Sequence, residues 1–282
     1  MHTSLISAAA LREQLDDPAW AAVDCRFQLG DADAGFEAYL EEHIAGAVYA
    51  HLDRDLCGPI VPGTTGRHPL PDPGVLATRL GELGIGNDDR VVAYDDAGGA
   101  MAAARLWWLL RWLGHDRVAV LDGGWRAWLA ENGRVRGGSE TRPARTFVAR
   151  VRPELVADAR VVEGVRRRDN WRVLDARSAE RFRGENETID PVAGHIPGAL
   201  SAPYADNLAP DGRLLPADAL RAHYAAVAGD TPPERIVCYC GSGVTAALNV
   251  LAMEHAGLPG ARLYAGSWSE WILDPRREVA KG

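Results

Sequence analysis

The sequence predicts an α/β fold of two similar domains, each a parallel sheet flanked by helices on both faces. Three observations support this prediction: the chain contains an internal duplication, short apolar runs alternate with helical patterns, and the strand-like runs are apolar throughout. Strands that alternate with helices indicate crossover connections and therefore parallel sheets. Strands buried on both faces lose the polar alternation of half-exposed strands, as in Val91–Val92 and Ile236–Val237.

The duplication consists of four motifs that recur in the same order in the two halves. The matching pairs are Val23–Arg26 with Leu174–Arg177, His43–Ala47 with His195–Ala199, Val91–Tyr94 with Ile236–Tyr239, and Leu121–Trp128 with Tyr264–Trp271. Their offsets are 151, 152, 145 and 143 residues. The two halves therefore differ in length only between the motifs, where loops of variable length are expected. We expect domains at 1–135 and 151–282, with a linker at 136–150 that overlaps the polar, Gly- and Arg-rich stretch Gly133–Arg145.

Each half predicts its elements in the same order. The strands expected from short apolar runs are Ala22–Cys25, Arg90–Asp95 and Val118–Leu121 in the first half, and Arg172–Asp175, Ala199–Ala202, Arg235–Tyr239 and Ala261–Tyr264 in the second. The helices expected from helical periodicity are Leu76–Leu83, Ala100–Leu113, Val156–Arg168, Pro216–Val227 and Val244–Ala256.

Composition excludes several classes of protein. The 282 residues carry a net charge of −8, and the densest basic cluster, Arg166–Arg168, is typical of a solvated helix face, so we expect no nucleic-acid partner. The absence of a long apolar run or a signal-like amino terminus favours a cytoplasmic protein without a membrane partner. Cys238 and Cys240 form a C-x-C pair that matches no common zinc spacing, so neither a metal nor another cofactor is expected.

The candidate site lies after two equivalent strands. Ligands in open α/β sheets bind beyond the carboxyl ends of the strands, which directs attention to the residues after Tyr94 and Tyr239. Asp95 occupies the repeat position of Cys240. One half therefore has a nucleophile and the other lacks one, which predicts a single active site per chain.

The segment from Cys240 to Thr245 predicts a tight loop that runs into a helix starting near Gly243 or Val244. Glycine lets the backbone bend sharply, so the loop's N–H groups can point at the sulfur together with the positive end of the helix. Such a cradle stabilises a thiolate, or the terminal sulfur of a persulfide. The alternative is a buried structural cysteine beside a connecting turn. Ser242 has two open interpretations, a donor-binding hydroxyl and a helix N-cap.

Three motifs resemble the 3-mercaptopyruvate sulfurtransferases, which are relatives of rhodanese. These are the loop Cys240–Ala246, the stretch Tyr264-x-Gly-Ser-Trp-x-Glu-Trp271, and Tyr39-x-x-x-His-Ile-x-Gly-Ala47, where Ala45 replaces the usual proline. The resemblance spans nearly the whole chain and includes the inactive first half. It implies two tandem rhodanese-like domains with the active site between them. It also implies sulfur transfer through a Cys240 persulfide to cyanide, a small thiol such as glutathione, or thioredoxin.

The resemblance also suggests how the donor is bound. Thiosulfate enzymes usually carry basic residues after the cysteine, whereas Gly241, Ser242 and Gly243 carry no charge, which favours 3-mercaptopyruvate. Arg181 lies where the mercaptopyruvate enzymes have a carboxylate-binding arginine, and Arg183 could assist or replace it. The family often has a second arginine further on, but residues 185–193 contain none, so thiosulfate stays an alternative donor.

Further residues are assigned through the resemblance or the repeat. Asp53 and His68 match positions that the family places at the domain interface near the cysteine, and a histidine there could move a proton near neutral pH. Residues that recur in both halves are expected to be structural: His43 with His195, Asp24 with Asp175, and Arg26 with Arg177. Six tryptophans at helical spacing are expected to lie mostly in the cores: Trp107, Trp108, Trp125, Trp128, Trp268 and Trp271. Cys238 is expected to be buried.

Two rival functions differ in chemistry. A Cys-x5-Arg phosphatase requires an arginine six residues after the cysteine, where this chain has Ala246. A non-catalytic binding or regulatory protein would need no nucleophile, yet the second half keeps both the cysteine and its loop. A sulfurtransferase is therefore the function that the sequence predicts.

Overall fold

The computed structural model describes residues 4–282, and these form two compact units. The first unit holds residues up to Gly58, Pro71–Arg152 and Pro210–Leu214, and the second holds Pro59–Leu70, Pro153–Ala209 and Leu215–Gly282. Residues 136–150 group with the first unit, and 59–70, from the amino-terminal half of the sequence, group with the second. No helix within residues 4–282 is long and apolar enough to cross a bilayer.

The first unit is built on a five-stranded parallel sheet with the order β1-β6-β5-β2-β4. Its strands are β1 Leu5–Ile6, β2 Trp20–Asp24, β4 Val48–Tyr49, β5 Arg90–Tyr94 and β6 Val118–Leu121; β3 His43–Ile44 and β7 Val135–Arg136 pair separately and antiparallel. Its helices are α1 Ala8–Arg12, α2 Ala34–Glu41, α3 Leu52–Asp55, α4 Pro73–Glu82, α5 Ala102–Trp112 and α6 Gly124–Ala130.

The second unit repeats this plan. Its parallel sheet has the order β8-β12-β11-β9-β10, which corresponds strand for strand to β1-β6-β5-β2-β4 of the first sheet. The strands are β8 Val156–Ala157, β9 Arg172–Asp175, β10 Leu200–Ser201, β11 Ile236–Tyr239 and β12 Arg262–Tyr264; the helices are α7 Ala159–Val165, α8 Ala179–Arg183, α9 Ala217–Ala228, α10 Ala246–His255 and α11 Ser267–Trp271. Short 3₁₀ turns lie at Pro153–Leu155, Tyr204–Asn207 and Pro233–Arg235.

Both sheets are covered by helices on their two faces, as the apolar strands predict. Each unit has its own apolar core, and the central strands β5 and β11 are almost entirely buried. Of the six tryptophans, all but Trp125 are buried, and Trp125 packs against the first core. The α/β prediction of two similar domains, each built on a parallel sheet, is confirmed, and so is the burial of Cys238.

The repeated polar residues brace each unit in the same way. The Asp24 carboxylate accepts hydrogen bonds from Nε and Nη2 of Arg26, and the Asp175 carboxylate accepts them from the same two atoms of Arg177. Each guanidinium then stacks over a tryptophan ring, with Arg26 4.7 Å from Trp125 and Arg177 4.8 Å from the ring of Trp268. His43 and His195 also share one role, because each ring Nδ1 lies 2.7 Å from a backbone carbonyl oxygen.

Several boundaries of the predicted elements are wrong; the helix expected from Leu76, for example, begins at Pro73, after the capping residue Asp72. The helix expected from Val156 begins only at Ala159, because Val156–Ala157 is an edge strand and the Asp158 side chain caps the helix by accepting the Val161 N–H. The helix expected near Gly243 begins at Ala246, because Gly243 has a φ of +77°, which no α-helix contains. The edge strands β1 and β8 carry too few residues to show a period in the sequence.

Candidate active site

The candidate site is the loop that follows β11. The sulfur of Cys240 accepts a hydrogen bond from the Gly243 N–H, with 3.1 Å between Sγ and N. The backbone can turn back on the sulfur because Gly243 has a positive φ, and a Cβ at this position would lie 2.3 Å from the Ala265 carbonyl oxygen. Only glycine fits here, so a fixed backbone donor points at the sulfur.

The start of α11 holds the loop in place. The Ser267 Oγ accepts the Cys240 N–H at 3.1 Å, while the carbonyl oxygens of Cys240 and Gly241 accept the N–H groups of Trp268 and Ser269 at 3.0 and 2.9 Å. Ser267 has a φ of +55°, an uncommon conformation for a residue with a side chain. This turn lies within the repeated motif Tyr264–Trp271, so that motif has a role in holding the nucleophile in place.

Ser242 and His68 form a buried pair at the loop. The Ser242 Oγ and the His68 Nδ1 are 2.7 Å apart and share a hydrogen bond, and both residues are at most 7% exposed. Ser242 is therefore not the N-cap of α10. That position belongs to Thr245, whose side chain makes no capping bond. Val244 and Thr245 form the first turn, accepting the N–H groups of Ala247 and Leu248, each at 3.1 Å.

Two guanidinium groups lie beside Gly241. A Cβ at Gly241 would be 2.8 Å from Nη2 of Arg67 and 3.7 and 3.8 Å from Nη2 and Nη1 of Arg181. The side chains are partly open, at 29% exposure for Arg67 and 17% for Arg181. The uncharged loop therefore has two positive charges next to it.

Two buried carboxylates balance these cations. Glu187 receives Nε and Nη2 of Arg181 at 3.0 and 2.9 Å, and Asp190 receives Nη2 of Arg181 at 3.0 Å and Nη1 of Arg67. Burial raises the pKa of the Glu187 carboxyl, but hydrogen bonds from Arg181 and from the Asp190 and Ile189 N–H groups outweigh it and hold the pKa below its usual value. The two carboxylates and the two guanidinium groups therefore form one network of ion pairs.

Two further predicted donor-binding residues have described partners of their own. Arg183 is exposed and pairs with Glu185 at 2.7 Å. Asp53 belongs to the first unit, in α3, where its N–H donates to the His51 Nδ1 at 3.1 Å.

The remaining thiols are in surroundings that disfavour the thiolate. Burial raises the pKa of Cys238 to about 12 and that of Cys57 to about 11. Burial also raises the pKa of Cys25 well above its usual value. In residues 4–282 no group of three or more potential ligand side chains could hold a metal ion.

Arg67, Glu187 and Asp190 were not among the predicted site residues. Their signal is weak because it depends on contacts between distant segments: Arg67 approaches Gly241 from a loop without regular structure. The adjacent His68 was the available clue, because a segment that delivers one side chain to a site also positions its neighbour.

Comparison with known proteins supports the reading of this site. A family model for the rhodanese-like domain matches residues 7–131 and 159–274. A Pseudomonas aeruginosa protein named probable 3-mercaptopyruvate sulfurtransferase is 48% identical, covering 99% of this chain and 98% of the relative. A Mycobacterium tuberculosis relative, provisionally named a thiosulfate sulfurtransferase, is 40% identical, and the match covers 99% of this chain and 97% of the relative.

A solved structure extends the likeness to three dimensions. The crystal structure of SseA from Escherichia coli, described as a 3-mercaptopyruvate sulfotransferase with the rhodanese fold, has a TM-score of 0.82 and 34% identity, covering 96% of this chain and all of that one. The chain therefore belongs to the rhodanese-like domain family. Within that family it is a sulfurtransferase enzyme, with a sulfur donor and a sulfur acceptor as its partners.

Proposed function

We propose that this enzyme takes sulfur from 3-mercaptopyruvate, holds it as a persulfide on Cys240, and passes it to a thiol or to cyanide. The observation that carries the proposal is the Gly243 N–H directed at the Cys240 sulfur within a loop that has no charged side chain. The relatives named for 3-mercaptopyruvate support the same donor.

In the donor step the Cys240 thiolate attacks the thiol sulfur of 3-mercaptopyruvate. A sulfur–sulfur bond forms, the carbon–sulfur bond breaks, and its electron pair moves to carbon as the enolate of pyruvate. The enolate takes up a proton from solvent to give pyruvate, and the thiol proton stays on the outer sulfur of the persulfide. Storing the sulfur covalently divides one difficult transfer into two easier steps.

In the acceptor step a nucleophile attacks the outer sulfur of the persulfide. With cyanide, the products are thiocyanate, the Cys240 thiolate and a proton, so atoms and charge balance. Thioredoxin and glutathione are the thiol acceptors we propose, and the cytoplasm is the proposed location. The proposed chemistry needs no cofactor, because each step is a displacement at sulfur in which the electron pair of the broken bond stays on the leaving group, first the pyruvate enolate and then the Cys240 thiolate.

The loop residues have separate roles in this proposal. Gly241, Gly243, Val244 and Thr245 form the backbone around the sulfur. Ser242 hydrogen-bonds the donor's thiol or ketone, and its bond to His68 supports a proton path to the enolate carbon.

The donor's carboxylate is assigned to the arginines. We rank Arg181 ahead of Arg183, because its guanidinium lies beside Gly241 whereas that of Arg183 is exposed and paired with Glu185. Asp53 is proposed as a further residue of the donor site, supported by the family resemblance alone. The proposed division of the chain is a non-catalytic domain at 1–135, a linker at 136–150 and a catalytic domain at 151–282.

Thiosulfate is the second candidate donor. Two guanidinium groups beside Gly241 would suit a divalent anion even though the loop itself carries no charge. A purely binding role is disfavoured, because such a protein would need neither Cys240 nor the N–H directed at its sulfur.

The test compares kcat/KM for 3-mercaptopyruvate and thiosulfate, with cyanide as the common acceptor. We expect 3-mercaptopyruvate to be preferred by at least about 10-fold, the effect of about 1.4 kcal/mol of extra transition-state binding. A preference for thiosulfate would refute the proposed donor. Absence of persulfide on Cys240 with either donor, measured by intact mass, would refute the mechanism.

A further inference from the structure

The two guanidinium groups beside Gly241 differ in what already occupies their hydrogen-bonding edges. Arg181 directs its Nε and Nη2 at Glu187, which is a complete bidentate pair. Glu187 is itself fixed by the N–H groups of Ile189 and Asp190, at 3.0 and 2.9 Å. A donor carboxylate could take this edge only by displacing a carboxylate that the protein holds in place.

Arg67 has no carboxylate on the equivalent edge within the described residues. Only its Nη1 is paired with a carboxylate, that of Asp190, while its Nε is buried and has no hydrogen-bond acceptor among residues 4–282. Its Nη2 is the atom that approaches Gly241. A buried donor without a partner costs free energy, so a ligand that satisfies it binds with that gain.

The position of Arg67 is fixed relative to the nucleophile. Its backbone N–H donates to the Ser269 Oγ at 3.1 Å, and the Ser269 N–H donates to the Gly241 carbonyl oxygen at 2.9 Å. A Cβ at Gly66 would lie 2.6 Å from the Gly266 carbonyl oxygen, so the segment packs directly on the turn that holds the Cys240 loop. A guanidinium anchored in this way loses little entropy when it binds a carboxylate.

We propose that Arg67 binds the donor's carboxylate and determines donor specificity, using its Nε–Nη2 edge. In this arrangement Arg181 supplies a second positive charge beside the carboxylate, while its own Nε–Nη2 edge holds Glu187 in place. Residues 185–193 contain no second arginine, and Arg67 supplies that guanidinium from a different segment. The inference rests on the proposed function, because it requires a donor with a carboxylate next to its ketone.

The test uses two donors that differ only in the carboxylate: 3-mercaptopyruvate, and mercaptoacetone, which has a methyl group there. In Arg67→Gln we expect kcat/KM for 3-mercaptopyruvate to fall roughly 30-fold, the effect of losing a charged bidentate pair, while that for mercaptoacetone changes less than about 2-fold. The inhibition constant of pyruvate should rise by a similar factor. Arg67→Lys, which keeps a charge for Asp190 but lacks the fork, should fall between wild type and Arg67→Gln.

The control is Arg160→Gln, because the Arg160 side chain is 93% exposed and lies outside the site. An equal loss for both donors, or an unchanged pyruvate inhibition constant, would overturn the assignment and make Arg67 a structural residue. Thermal unfolding of each variant separates loss of fold from loss of binding. Wild-type enzyme that fails to use 3-mercaptopyruvate would refute the proposed donor itself, an outcome visible before any variant is compared.

Discussion

The loops after β5 and β11 occupy equivalent positions in the two units but hold different side chains. In the first unit the carboxylate of Asp95 accepts four backbone N–H groups: those of Ala97 and Gly99 at 3.0 and 2.7 Å on Oδ1, and those of Met101 and Ala103 at 3.0 and 3.2 Å on Oδ2. The first unit therefore fills its anion cradle with its own side chain.

In the second unit the same strand position carries a shorter side chain. The sulfur of Cys240 accepts the Gly243 N–H, and its loop is fixed by the turn at Ser267. A carboxylate extends further from the backbone than a thiol does, so replacing Asp by Cys leaves room at the centre of the loop. The comparison teaches that the loop after each central strand directs backbone N–H groups at the residue that begins it, four at Asp95 and that of Gly243 at Cys240, and that this residue decides whether the loop is structural or reactive.

The largest expected effect comes from removing the reactive atom. Cys240→Ser should lower sulfur transfer by more than about 1000-fold, because a serine hydroxyl is a far weaker nucleophile for sulfur and cannot carry a persulfide. The fold should be retained, since the two side chains are nearly isosteric. Transfer rates and the intact mass after donor treatment measure the effect. Cys57→Ser, a cysteine in the first unit, is the control, and activity retained in Cys240→Ser would disprove the mechanism.

A second variant separates the cation network from the nucleophile. Arg181→Ala should lower the free energy of unfolding by about 3 kcal/mol, because it takes one cationic partner from Glu187 and Asp190, whose side chains are at most 2% exposed. The donor step should slow more than release of sulfur to the acceptor. Urea unfolding and single-turnover rates of the two steps are the measurements. With Arg160→Ala as the reference, an unchanged donor rate and KM would exclude Arg181 from the site.

A third variant probes the first unit's cradle. Asp95→Asn replaces one of the two accepting oxygens by an NH2 group, which cannot accept hydrogen bonds from the backbone N–H groups. We therefore expect the free energy of unfolding at pH 8 to fall by about 2 kcal/mol. Asp96→Asn, at the exposed neighbouring residue, is the control and should have little effect. Sulfur transfer should continue in the folded variant, and loss of transfer without loss of stability would give Asp95 a catalytic role.

The same variant has a pH dependence with a defined sign. Burial raises the pKa of Asp95 to about 6, although the backbone N–H groups oppose it, so the native state binds this proton more tightly than the unfolded chain. The stability from this group is greatest below the unfolded value near 4 and declines as the pH rises through about 6. Asp95→Asn should therefore be more destabilising at pH 5 than at pH 8, by about 1 kcal/mol. The opposite order would refute the raised pKa.

The fold was predictable because duplication and alternating elements are properties of the sequence. Motifs that recur in the same order, 143 to 152 residues apart, identify the paired sheets, and the residue after each central strand identifies the candidate site. The edge strands at Leu5–Ile6 and Val156–Ala157 were not predictable, because two residues carry no period and their pairing partners are remote in the sequence.

The site was only partly predictable for the same reason. Cys240 and its loop are local, so their chemistry follows from adjacent residues. Arg67 meets Gly241 only in the folded unit, and Glu187 and Asp190 belong to a stretch that the sequence marks only by its lack of arginine. The position of Arg181 was signalled by the family resemblance, but its bidentate pair with Glu187 was not.

The segment Pro59–Leu70 determines whether the two halves of this protein can be separated. It is encoded in the first repeat yet forms part of the second unit, where His68 meets Ser242. A protein made of residues 151–282 alone would lack that histidine. If two genes encoded the two halves, their products would have to assemble before His68 could reach Ser242. The first repeat has Asp95 in place of a nucleophile, yet it supplies this segment, so the two repeats have to be inherited together.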